Sequence, residues 1–327
     1  MSGDGAEPIG IAGAGAFGTA LAVVLGAAGH PVRLWARDAR QVASMRRLGA
    51  NRSYLPDHRL PETVTPTDDI ASLADTEAVL LAVPAQQLSA FLNRHGQALA
   101  GPALVAACKG IALDTLQGPS AVIAAACPGA TVAVLSGPGF AGDIAAGLPT
   151  AMTLACTDPA AGARLQRMLS TPALRLYRST DVVGTELGGA LKNVIAIAAG
   201  IVIGAGLGDS ARAALMTRGH AEILRLARHR GARTATLSGL SGLGDLVLTC
   251  TSERSRNFRF GLALGRGHAF DPALTVEGAA TARAVARIAA SEGIDMPLTT
   301  TVAAILDHRL SLAGAIDALL SRPLKEE

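Results

Sequence analysis

The chain has 327 residues, half of them hydrophobic and 17% charged, with a net charge of +3. That apolar content excludes a disordered polymer, and so small a positive excess gives no reason to expect a nucleic-acid partner. The length suits about two domains. Four scattered cysteines with no CxxC pair speak against a zinc site or a disulfide scaffold and for a reducing cytoplasm.

Strand and helix signals alternate through the first half. Ile9–Ala12 reads as a short apolar strand and 16–28 as a helix of small residues. A second strand, 32–36, precedes a helix near Ala39–Leu48. Further strand-length apolar runs follow at 78–83, 103–107, 131–135 and 151–155, each ended by Pro, Gly or a polar residue. Helices between such strands imply a Rossmann-type α/β domain with a mostly parallel, doubly wound sheet.

From Asp181 the strand signals stop. Segments 186–203, 211–229, 236–250, 257–264 and 279–292 read as helices, as does the stretch from Thr300. The boundary is expected between 180 and 190, giving an α/β domain of 1–185 and an all-α domain of 186–327. Two apolar stretches resemble membrane spans. The uncharged run 8–32 holds six glycines and follows the acidic residues Asp4 and Glu7, unlike a signal peptide. The run 193–208 is short of the roughly 20 residues a span needs, so a buried core helix is expected. Gly200, Gly204 and Gly208 read as close helix packing.

The first strand runs directly into Gly13-Ala-Gly15-Ala16-Phe17-Gly18. In the G-x-G-x-x-G pattern the first glycine permits the turn, the second admits a pyrophosphate, and the third lets helix pack on strand. A dinucleotide is the expected ligand, its phosphates at the helix N-terminus. The second strand ends Trp35-Ala-Arg37-Asp38. Arginine there suits the 2′-phosphate of NADP(H) and an acid suits the ribose of NAD(H); the pair is mixed, and NADP(H) is favoured. The plainer reading of Arg37 is an exposed base.

Lysine is scarce. Of 29 basic residues only Lys109, Lys192 and Lys325 are lysine, and the first two lie in apolar surroundings. A titratable ammonium there does what a permanently charged guanidinium cannot. Lys192 is read as opening the long apolar helix, where burial lowers its pKa and a nearby carboxylate raises it. Asp245, in a glycine-rich turn, is the candidate carboxylate. Plainer readings are a lysine reaching solvent from a helix N-terminus and a helix-capping aspartate.

Taken in order, the motifs resemble those of the bacterial NAD(P)-dependent sn-glycerol-3-phosphate dehydrogenases, nearly end to end. They are the run 13–22, Asn51-Arg-Ser-Tyr-Leu-Pro56 with Leu60-Pro61, Ala82-Val-Pro84, Ala107-Cys-Lys-Gly110 and Leu135-Ser-Gly-Pro-Gly-Phe-Ala141. Then come Glu186-Leu-Gly-Gly-Ala-Leu-Lys-Asn-Val194, the run 239–250, Ser255-Arg-Asn257 and Val276-Glu-Gly278. The resemblance implies reduction of dihydroxyacetone phosphate to sn-glycerol 3-phosphate, the phospholipid backbone. It implies a cofactor site of Gly13, Gly15, Ala16, Phe17, Gly18, Arg37, Lys109, Ala141, Arg256 and Glu277. It implies a substrate site of Lys109, Gly137, Gly139, Lys192, Asp245, Ser255, Arg256 and Asn257, with Lys192 as proton donor or acceptor and no metal.

The residue chemistry agrees. Ketone reduction needs a hydride on carbon and a proton on oxygen, and a lysine supplies the proton while its charge stabilises the developing alkoxide. Lys109 follows a strand on the side where doubly wound sheets bind ligands. Ser255-Arg256-Asn257 precedes a helix and suits a phosphate. The asparagines there and after Lys192 also read as helix caps, and Lys109 and Glu277 as ordinary surface charges. One position departs from the family: Gly139 stands where a hydroxyl or amide side chain is usual. Two other readings are kept, a two-domain reductase of hydroxy acids or imines and a dinucleotide sensor without turnover. The sequence leaves the oligomeric state open, with a homodimer as the assembly considered.

Overall fold

A computed structural model describes residues 7–271 and 274–315. Asp4, Lys325 and the chain past 315, on which some expectations fall, lie outside the described residues. In the first half the elements run β1 (Ile9–Ala12), α1 (Ala16–Ala27), β2 (Val32–Trp35), α2 (Ala39–Leu48), β3 (Val64–Thr67) and β4 (Ala78–Leu81). They continue with α3 (Ala85–His95), β5 (Ala103–Ala106), α4 (Pro119–Ala126), β6 (Val132–Ser136), α5 (Ala141–Ala145), β7 (Thr150–Cys156), α6 (Pro159–Leu169) and β8 (Leu174–Ser179).

These strands form one eight-stranded sheet in the order β3-β2-β1-β4-β5-β6-β7-β8. Every neighbouring pair is parallel except β6 with β7. The central strands β1, β4 and β5 are buried at every position, as expected of a sheet covered on both faces. Sequence reading misses only the two edges. In β3 the run Val-Thr-Pro-Thr carries a proline, which edge strands tolerate because one face of the ladder is free. In β8 exposed Arg175, Tyr177 and Arg178 dilute the apolar signal.

The second half is helical among the described residues: α7 (Val182–Gly204), α8 (Gly208–His229), α9 (Thr234–Leu237), a π-turn at Leu240–Gly244, α10 (Asp245–Cys250), α11 (Arg256–Gly265), α12 (Glu277–Glu292) and α13 (Pro297–Leu306). Asp181 starts α7 by accepting from the Gly184 amide at 2.9 Å. This helix is long and apolar enough to span a bilayer, but 89% of its most apolar stretch is buried inside the protein. It is the axis of the second core, which α8, α10, α11, α12 and α13 pack around.

Three local expectations are corrected. Lys192 does not open α7; the helix starts four residues before the expected Glu186, and Lys192 lies near its middle. The expected single helix 236–250 is broken at Ser238-Gly239, where Gly239 takes an extended conformation before the π-turn, and Gly242 then packs so closely on Leu237 that a Cβ would lie 2.0 Å from its carbonyl oxygen. Gly200 and Gly204 do pack tightly, against the α11 backbone at Phe258 and Leu262. Gly208 does not: its φ of +85° belongs to the turn into α8, and its side faces open space.

Candidate active site

The glycine turn after β1 has the shape a pyrophosphate requires. Gly13 has φ +114°, and a Cβ there would press on the backbone of Ala82 at 2.8 Å. A Cβ on Gly18 would lie 2.0 Å from the Gly13 carbonyl oxygen, so helix and turn touch. A Cβ on Gly15 would meet nothing within 4 Å: open space faces this backbone at the N-terminus of α1. The turn is braced from behind. Gln41 and buried Asn51 both donate to the Ala14 carbonyl at 2.8 Å, and Asn51 also donates to Thr19. Ala16 and Phe17 form the first turn of α1, which packs on α5 and its first residue, Ala141.

At the end of β2 the two side chains of the mixed Arg37-Asp38 code are placed differently. The Asp38 carboxylate caps α2, accepting from the Arg40 amide at 2.8 Å. Arg37 is exposed, with no protein partner among the described residues. The glycine cradle and the free guanidinium together fit a dinucleotide carrying a 2′-phosphate.

Further along the chain, the two scarce lysines meet. Lys109, just past the C-terminal end of β5, donates to Asp245 Oδ2 at 2.5 Å and to the Gly137 carbonyl at 3.0 Å. Lys192, on α7, donates to Asp245 Oδ1 at 2.7 Å and to Thr249 Oγ1 at 2.7 Å. Asp245 is 1% exposed, and each of its oxygens holds one ammonium. Burial alone would raise its pKa, but Lys109 and Lys192 outweigh that and hold it ionised, below the usual carboxylate range. Burial and the charge of Lys192 push the Lys109 ammonium down to about 8, against the pull of Asp245 and Glu277. Thr249 was not picked out from sequence. The signal was available, since it lies four residues after Asp245 and therefore on the same helix face.

Around this trio the other expected residues fall into two groups. Glu277 is raised by its burial, and Arg256, Lys192 and Lys109 oppose the rise, so all four charges share one field. Arg256 opens α11 and is exposed. Ser255 caps that helix, its oxygen accepting from the Phe258 amide at 3.2 Å. Asn257 faces the protein instead: its amide donates to Asn193 at 2.8 Å and accepts from Gly278 N at 3.0 Å, tying α7, α11 and α12 together. One of its two Nδ2 hydrogens is thereby used as a brace, and the second has no protein partner among the described residues.

Gly137 and Gly139 follow β6. The Gly137 carbonyl is the one that Lys109 grips. A Cβ on Gly139 would point at Ile144 and Thr150, 3.0 and 3.3 Å away. Ser136, at the end of β6, has a buried hydroxyl with no partner among the described residues; a Cβ on Gly189 would lie 2.3 Å from it and 3.5 Å from Lys109 Cδ. It lies near Lys109 and was also missed.

A dinucleotide cradle beside a buried carboxylate that holds two ammoniums defines an NAD(P)-dependent oxidoreductase. Comparison with known proteins narrows the class. Residues 8–162 match the model of the NAD-dependent glycerol-3-phosphate dehydrogenase N-terminus, and residues 181–317 match its C-terminus. A glycerol-3-phosphate dehydrogenase (NAD(P)+) of Cereibacter sphaeroides is 62% identical over 98% of this chain and 100% of its own. One from Roseobacter denitrificans is 58% identical over 98% and 99%. The crystal structure of glycerol-3-phosphate dehydrogenase from Coxiella burnetii superposes with a TM-score of 0.91 at 39% identity, covering 97% of this chain and 99% of that one. A ketopantoate reductase from Ralstonia eutropha, at 17% identity and TM-score 0.62, shares the fold alone. The chain belongs to the NAD-dependent glycerol-3-phosphate dehydrogenase family.

Proposed function

We propose that this enzyme reduces dihydroxyacetone phosphate to sn-glycerol 3-phosphate, reversibly, with NADPH favoured over NADH. The observation that carries the reading is the carboxylate of Asp245 shared by Lys109 and Lys192. A nicotinamide held by the glycine turn would supply the hydride for the substrate's carbonyl carbon. Lys192 delivers the proton to the carbonyl oxygen and stabilises the charge developing there. Asp245 holds both ammoniums in place, and Thr249 fixes the direction of Lys192 by accepting one of its hydrogens. Lys109 would stand beside both the nicotinamide and the substrate.

Arg256, the Ser255 end of α11 and the Gly137–Gly139 backbone receive the substrate phosphate. Charged, Lys109, Lys192 and Arg256 outnumber Asp245 and Glu277 by one, which suits an anionic substrate. The glycine turn carries the pyrophosphate, Ala141 and Glu277 border the cofactor, and Arg37 carries the 2′-phosphate. We divide the chain into a cofactor unit, 1–185, and a catalytic unit, 186–327, with α7 passing between them. Four buried free thiols support a reducing, cytoplasmic setting, and a homodimer is the assembly we propose to test.

The test follows NADPH absorbance with dihydroxyacetone phosphate and, separately, with unphosphorylated dihydroxyacetone. Rapid oxidation with the first and little with the second is expected. Equal rates would remove the phosphate site, and turnover only with a hydroxy-acid or imine precursor would overturn the substrate.

A further inference from the structure

Arg254 lies immediately before the Ser255-Arg256-Asn257 segment, in the catalytic half. Its guanidinium nitrogen Nη1 donates to both carboxylate oxygens of Asp143 at 2.7 Å. Asp143 is in the first turn of α5, in the other half of the chain. The same guanidinium lies over the Phe140 ring, 4.8 Å from its centroid. Gly142 makes room for it: a Cβ there would stand 3.1 Å from Nη2. Among the described residues, every hydrogen bond from 252–259 to the sheet half comes from Arg254.

The loop it grips is the site's own. Gly137 at its start holds Lys109 through its carbonyl, and Asp143 at its end holds Arg254. One short segment is thus pinned to the lysine–carboxylate cluster at one end and to the neighbour of Arg256 at the other. Lysine would not substitute fully, since a point charge lacks the planar face that lies over Phe140.

We infer that Arg254 is a positioning residue, a strap with Asp143 and Phe140 that holds the Ser255–Arg256 segment against the Gly137–Ala141 loop so that the substrate phosphate meets both at once. The inference rests on the substrate reading above. Arg254 itself is held off the phosphate, because Nη1 is engaged by both Asp143 oxygens and the guanidinium face lies over Phe140. The ion pair is half-exposed, so its contribution to stability is small, and its effect falls on substrate binding.

The experiment measures KM and kcat for dihydroxyacetone phosphate, NADPH affinity by fluorescence quenching, and thermal unfolding. The proteins are wild type, Arg254→Ala, Asp143→Ala, the double alanine variant and the swap Arg254→Asp with Asp143→Arg. Each single variant is expected to raise KM about tenfold, with the double variant no worse than either single, as for two residues acting through one contact. NADPH affinity and unfolding temperature stay at wild-type values, and the swap recovers part of the KM. Losses that multiply in the double variant would show that Arg254 touches substrate directly and would overturn the strap. Wild-type KM in Arg254→Ala would do the same. If wild type itself fails to reduce dihydroxyacetone phosphate, the substrate reading is at fault instead.

Discussion

Lys109 and Lys192 grip opposite oxygens of one buried carboxylate, Asp245, one coming from the sheet and the other from the central helix of the second core. Two cations that close are held together only because an anion lies between them. The arrangement gives the two lysines different work. Lys192 gives two of its three hydrogens to Asp245 and Thr249 and keeps one for a substrate, whereas Lys109 is tied to Asp245 and a loop carbonyl and has its pKa pushed down to about 8.

Replacement of Lys192 separates proton delivery from charge. Lys192→Ala is expected to fold, to bind NADPH, and to lose roughly 10²–10⁴ in kcat, the usual share of a general acid. Lys192→Arg keeps the cation but cannot give up a proton near neutral pH. Single-turnover rates at saturating NADPH, with circular dichroism as the folding control, decide the matter. An arginine variant within a few-fold of wild type would move the proton donor to Lys109 or a water.

Most of this site was legible because the chain uses lysine so sparingly. Lys109 and Lys192 stood out from 26 arginines, and the Leu-Gly-Asp-Leu turn marked Asp245. What sequence could not show was direction. Asn257 looks like a phosphate ligand in Ser-Arg-Asn, and its amide also ties Asn193 to Gly278, with one Nδ2 hydrogen left over. Gly139 looks like a lost substrate contact, yet a side chain there would point at Ile144 and Thr150. The edge strands β3 and β8 were hidden for a different reason, since edge positions tolerate proline and exposed charge that central strands do not. The start of α7 was misplaced because Val182-Val-Gly-Thr carries little helical signal, and it is Asp181 that caps it.

Arg256→Lys is not a conservative change. Lysine retains the charge but loses the fork that binds two phosphate oxygens together. KM for dihydroxyacetone phosphate is expected to rise roughly tenfold, about 1.4 kcal/mol, with NADPH affinity changed much less. Steady-state kinetics with fluorescence titration of NADPH checks both, and an unchanged KM would take Arg256 out of the phosphate site.

Arg37 offers a test of cofactor choice. Its guanidinium is free while the neighbouring Asp38 carboxylate is committed to the α2 amide, so Arg37→Ala should weaken NADPH binding by about 1.5–3 kcal/mol and leave NADH nearly unchanged. Binding of each dinucleotide is measured by calorimetry. Equal losses for both would show that the selector lies elsewhere.

Glu186 links the two halves of the chain and should leave a pH signature on stability. Its carboxylate, on α7, accepts from the Ser120 amide at 2.7 Å and from the Ser120 hydroxyl at 3.0 Å, at the start of α4. Burial pushes its pKa up from 4.5 to about 7, and the two Ser120 hydrogen bonds only partly oppose this. The sign follows from proton counting. Between pH 4.5 and 7 the folded chain holds a proton here that the unfolded chain has released, so stability falls as pH rises through that window and levels off above it. Glu186→Gln keeps an oxygen for the Ser120 amide and cannot ionise. The variant's stability should therefore change relative to wild type in one direction only, gaining between pH 5 and 8. Glu222, Glu277 and the lysines titrate in both proteins and cancel in the difference. Urea unfolding of wild type and variant at pH 5, 6, 7 and 8 measures it. Parallel stability curves would mean that the Glu186 carboxylate titrates as an ordinary solvated acid and that its cap on α4 carries no proton linkage.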